Sequence, residues 1–104
     1  MNANVAKCLV VSKVLVADGM VTDDERAFLD TMMRSLGLTD EERHSVVQLE
    51  GIDDADAIVR GLSIDERRDV VSTLVDAMSA DGRLSPHELE AVKRVTMALD
   101  LDRV

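Results

Sequence analysis

"VADGMVTDDE", from Val16 to Glu25, shares its framework with "SADGRLSPHE", from Ser79 to Glu88. Each copy has an Asp-Gly pair, an aliphatic residue two places after the Gly, then Thr or Ser, and a Glu six places after the Gly. Such a stretch can close one helix and open another. Gly19 and Gly82 can supply the positive φ that ends a helix. Thr22/Glu25 and Ser85/Glu88 have the spacing of a capping box, in which the hydroxyl accepts from an early backbone N–H and the Glu reaches back to the cap's own N–H. The same Thr/Ser-x-x-Glu spacing recurs at Thr39/Glu42 and Ser63/Glu66. Four helix starts, one proline and no useful strand alternation make the chain all-α.

Working outward, the first helix is expected over about Ala3 to Ala17, with apolar residues around most of its circumference and therefore largely buried. A second runs from about Asp23 to Leu36, with Phe28, Leu29, Met32, Met33 and Leu36 on one face and Gly37 closing it. A third follows Thr39 and carries Val46, Val47 and Leu49. A short one spans about Ala55 to Arg60. A long one runs from Ser63 to Ala80. The last starts at Pro86, a residue suited to a first helical turn, and carries Leu89, Val92, Val95 and Leu99. The two glycines of the motifs lie 63 residues apart, and at that offset Leu29, Met32, Leu36 and Leu38 fall on Val92, Val95, Leu99 and Leu101. The expectation is one compact helical domain of six to seven helices. It contains two pseudo-symmetric helix–loop–helix repeats, about residues 5–38 and 68–101, with their two apolar helices at the centre.

Composition narrows the function. Among 104 residues, 12 Lys and Arg stand against 21 Asp and Glu, a net charge of −9, and Phe28 is the lone aromatic. Phosphate contacts and base-stacking platforms both lack their residues, which argues against nucleic acid. Anionic membrane surfaces are disfavoured for the same electrostatic reason, leaving divalent cations or a basic protein face as partners. Cys8 is single, so neither an internal disulfide nor a cysteine-based zinc site is available. Lys7, Ser12, Lys13 and Asp18 interrupt the N-terminal apolar run, which does not read as a signal peptide. No apolar stretch approaches the ~18 residues that span a bilayer. The expected setting is soluble and cytoplasmic.

The motif's carboxylates admit two readings. An EF-hand loop also has Gly at its sixth position and Glu at its twelfth. Here, however, its first and third positions would be Val14 and Val16, or Ala77 and Ser79, and apolar side chains cannot ligate a hard cation. An ordinary EF-hand is rejected. Helix punctuation accounts for most of the acids, since Asp23 and Asp24 fall in a first turn that favours negative charge. Asp18 and Asp81 are different, because each lies at the C-terminal end of a helix, where the dipole disfavours an anion. A loop N–H, a basic side chain or a bound cation must compensate. Elsewhere, His44 and His87 have no companions at ligand spacing, Cys8 reads as a small buried hydrophobe, and no nucleophile–base constellation is present. A non-enzymatic protein is expected.

The doubled "ADG…E" motif, each copy followed by a helix ending "SLGL" or "ALDL", resembles the TerB-like family, which includes tellurite-resistance proteins and the N-terminal domain of the DjlA co-chaperone. The resemblance runs from about Val5 to Leu101. It implies an all-helical domain with internal two-fold similarity and a role in bacterial stress response, with the acidic residues of the two motifs binding a divalent metal. Two Asp and two Glu would supply oxygens suited to calcium or magnesium, and the expected role is a protein-interaction module controlled by that ion. On this sequence those residues are Asp18 and Glu25, Asp81 and Glu88, with Asp23 and Asp24 as lesser candidates. The alternative is a metal-independent interaction domain that uses its acidic surface or an apolar groove.

Overall fold

A computed structural model of the chain describes residues 1–16, 23–79 and 85–101. Among these residues it contains six α-helices and no strand: α1 (Ala3–Val16), α2 (Asp23–Ser35), α3 (Asp40–Val47), α4 (Ile52–Arg60), α5 (Ile64–Met78) and α6 (Pro86–Ala98). The all-α architecture is as expected from the cap spacing.

The caps form where the hydroxyls stand. Thr39 and Ser85 make full capping boxes, with Glu42 N donating to Thr39 Oγ1 at 3.1 Å and Thr39 N donating to Glu42 Oε1 at 2.9 Å in the first. Ser63 makes half of one. Its Oγ accepts from Glu66 N, but Glu66 Oε1 takes the Ser63 hydroxyl at 3.3 Å instead of the backbone N–H. The Thr22/Glu25 box lies outside the described residues, because Thr22 does.

α2 and α6 end alike. After α2, Gly37 adopts φ +76°, with Gly37 N bonded to Arg34 O and Leu38 N to Met33 O. After α6, Asp100 adopts φ +61°, with Asp100 N bonded to Met97 O and Leu101 N to Thr96 O. Both are the six-to-one and five-to-two pattern that ends a helix in a left-handed residue. Asp is one of the few non-glycine residues that visits that region readily.

The core is built around α1. Leu9, Val10, Val11 and Ser12 are all buried, and four successive helical residues sweep most of the circumference. Their burial is possible because α1 packs against α2, α3, α4 and α6. The expectation of two central apolar helices holds for α1 alone. α5 buries one stripe, Val70, Leu74, Ala77 and Met78, and packs on α2 and α6. Asp69, Ser72 and Asp76 occupy its remaining faces. Hence α1, α2, α5 and α6 form a ring of neighbours, in which each helix touches one from its own unit and one from the other. α3 and α4 pack on α1 in addition.

Candidate functional site

The two motif glutamates stand at corresponding places, each in the first turn of its helix. Glu88 closes the cap of α6, with Ser85 N donating to its Oε1 at 2.9 Å. Glu25, in the first turn of α2, has a side chain only 3% exposed. Its Oε1 lies 3.3 Å from His87 Nε2, and His87 belongs to the first turn of α6. A buried carboxylate needs a proton donor to offset its lost hydration, and the second motif provides one to the first. His87 remains 57% exposed, so the pair is closed by Glu25 on one side and open to solvent on the other. Arg94 lies about two turns further along α6, at the i+7 spacing that returns to the face of His87. Its guanidinium nitrogens are shielded from water.

The contact joins residues 62 apart in sequence and sets the first turns of α2 and α6 side by side. Of the six candidate ligands, Asp23 is exposed at the first position of α2, and Glu25 and Glu88 are placed as above. Asp18, Asp81 and the side chain of Asp24 lie outside the described residues. Among the described residues, no three His, Cys, Asp or Glu side chains are grouped to hold a metal ion. Glu88 receives the Ser85 N–H at one oxygen, and Glu25 makes at least one interaction besides that with His87. His87 is the residue that the sequence set aside for want of companions at ligand spacing. Its signal is the 63-residue offset, which aligns it with Asp24, a change from acid to imidazole beside the changes of Met20 to Arg83 and Asp23 to Pro86.

Two further features bear on partner binding. A groove of about 460 Å³ between α1, α2 and the end of α3 is lined by Val16, Arg26, Leu29, Met33 and Val47. Val47, the last residue of α3, is 60% exposed. Cys8 is fully buried in α1, and burial pushes its thiol up to about 12 against the opposing pull of Lys7. It is a packing residue and not a nucleophile. No helix among the described residues is long and apolar enough to cross a membrane.

A small all-helical domain in which the first turns of α2 and α6 meet defines the class. The sequence model for tellurite resistance protein TerB matches residues 4–104, nearly the whole length, and the chain belongs to the TerB family. No curated protein and no solved structure matches the chain.

Proposed function

We propose that this chain is a non-enzymatic, tellurite-resistance and stress-associated interaction module, cytoplasmic, with its binding to a protein partner set by a divalent cation at the paired motifs. Support comes from the Glu25–His87 contact, because an ion shared between two loops requires ligands from both copies to reach one place. The ligands are Asp18, Glu25, Asp81 and Glu88, with Asp23 and Asp24 around them. All offer hard oxygen donors, which select calcium or magnesium over softer metals. When bound, the ion supplies positive charge that holds the motif carboxylates together. The chain's own residues orient those donors, with Ser85 fixing Glu88 and His87 fixing Glu25. The test is an amide NMR titration of metal-stripped protein with calcium, then magnesium. Saturable shifts at Gly19 and Gly82, absent in the Asp18→Asn/Asp81→Asn variant, are expected. No change at millimolar ion overturns the reading.

The groove with its exposed Val47 favours a second reading, a metal-independent domain that seats a partner helix on Val16, Leu29, Met33 and Val47. Under it, a metal-stripped sample and a calcium-saturated one melt at the same temperature, and Val47→Lys abolishes partner binding while leaving the fold intact.

A further inference from the structure

Asp23, Arg26, Asp30 and Arg34 stand along one stripe of α2. At about 100° per residue they fall within roughly 80° of the helix circumference, and their signs alternate along it. Asp23, Arg26 and Arg34 are exposed, and the Asp30 side chain is 49% exposed. One ion pair forms among the four, Arg34 Nε to Asp30 Oδ2 at 2.9 Å. Asp23 and Arg26 form none among the described residues. Arg26 and Asp30 both line the groove between α1, α2 and the end of α3, beside Leu29 and Met33.

Turned end for end, the stripe is its own complement. With α2 laid antiparallel on a copy of itself, about a two-fold axis near residue 28, Arg26 meets Asp30 of the second copy and Asp23 meets Arg34. A two-fold contact needs a surface of this kind, because a residue that meets another across the axis is met by it in return. A parallel pairing in register would set each charge against its like. The four charges sum to zero, so the contact is neutral although the chain carries −9. Asp30 can take a second donor while it holds Arg34, since a carboxylate offers about four lone-pair sites. Ala27, small and exposed at the middle of α2, leaves room for another helix. Beside the stripe, Val16 and Val47 present apolar side chains on the groove's other walls.

We propose that this face binds a second copy of the chain, through antiparallel pairing of α2 with α2 and burial of Val16 and Val47 at the margin. The second copy is the partner helix of the groove reading above, on which the apolar part of this contact rests. A uniformly basic or uniformly acidic helix fits less well, because half of the stripe would repel it. The patch is small, so the dimer is weak, with a dissociation constant on the order of 0.1–1 mM.

The test is sedimentation equilibrium over about 0.05–2 mM chain, in about 0.15 M salt to screen the net repulsion between copies. A concentration-dependent dimer is expected. Arg26→Asp and Asp30→Arg each set like charges together at both symmetric contacts and should weaken association about tenfold or more. Mixed with each other, the two variants regain opposite charges at both contacts of a heterodimer, and association should return to within about threefold of the parent. Both positions are at the surface, so each variant should keep a native amide spectrum. Val47→Lys should weaken the dimer about tenfold through lost apolar burial. A chain that stays monomeric throughout, or a mixture that associates no better than its single variants, overturns the self-pairing and leaves the groove to another helix. A dimer restored by mixing but unmoved by Val47→Lys upholds the self-pairing and removes the groove from it.

Discussion

The Glu25–His87 contact can be measured by a double-mutant cycle of Glu25→Ala and His87→Ala. Each single substitution disturbs more than the pair. Glu25 makes a further interaction besides this one, and its replacement leaves a void where a buried side chain stood. The cycle cancels those separate costs and isolates the coupling. The expected size follows from the geometry. A donor–acceptor distance of 3.3 Å is at the long end for a hydrogen bond, and His87 is more than half in water, so solvent screens the pair. The coupling should therefore sit near the exposed-pair range, about 0.5–1 kcal/mol. For a domain of this size that corresponds to about 2–8 °C of melting temperature beyond additivity. Urea unfolding of the four proteins under low salt gives the coupling directly, and raising the salt should reduce it. If the two substitutions add to within ~0.3 kcal/mol, the first turns of α2 and α6 do not meet through these side chains, and the support for a shared site goes with them.

Other substitutions test the fold and its buried groups. Gly37→Ala should destabilise by about 1 kcal/mol, because φ is +76° and the added Cβ meets nothing within 4 Å, so the penalty is purely torsional. Gly61→Ala should instead stabilise by about 0.4–1 kcal/mol, since φ is −81° and its nearest neighbour, Ile58 O, is at an ordinary 3.4 Å; denaturant midpoints that move the same way in both variants would refute the backbone argument. Cys8, with its thiol pushed up to about 12 by burial, should not react with an aromatic disulfide reagent at pH 8 in the folded protein and should react fully in urea. Glu42 is held below the usual carboxylate range, first by the Thr39 backbone N–H and then by Thr39 and Asn2 side chains. A lowered folded value adds stability above the unfolded value, about 4.3, which is lost as pH falls through the folded one. The stability gap between the parent and Glu42→Gln should thus be flat from pH 6 to 8 and close below about pH 4; a gap that widens on acidification would contradict the assignment.

Much of the fold was legible because helix starts are local chemistry. Thr39, Ser63 and Ser85 cap as their three-residue spacing to Glu requires, and Gly37 closes α2 with the positive φ its residue type permits. α4 was harder. It begins at Ile52, three residues before the expected Ala55, because the turn ahead of it is set by Gly51 at φ +76°, with no side-chain cap to announce it. Burial was less legible than helix position. α1 has an unbroken apolar run through Leu9, Val10 and Val11 and is enclosed, whereas the polar residues within α5 leave it a single buried stripe. The 63-residue likeness in sequence does not give α5 the neighbours that α1 has. In the candidate site the two glutamates were legible from the motif, while His87 was not, because its partner is 62 residues away and only the packed helices bring them together.

The glutamates of the two motifs differ in one described contact. Glu88 places one oxygen on its own helix cap, whereas buried Glu25 meets His87 of the other motif. The reverse contact has no chemical equivalent, since the position aligned with His87 is Asp24, an acid that could not donate to Glu88 while ionised. This asymmetry makes the metal reading separable from the packing that supports it. If Glu25 is a cation ligand that His87 orients, calcium affinity should fall in both single variants and the coupling in the Glu25–His87 cycle should differ with and without saturating calcium, while the protein as a whole becomes more stable. If the coupling is the same with and without calcium, Glu25 is an internal fastening between α2 and α6 and not a ligand. An ion detected by NMR would then have to be held by the remaining acids alone.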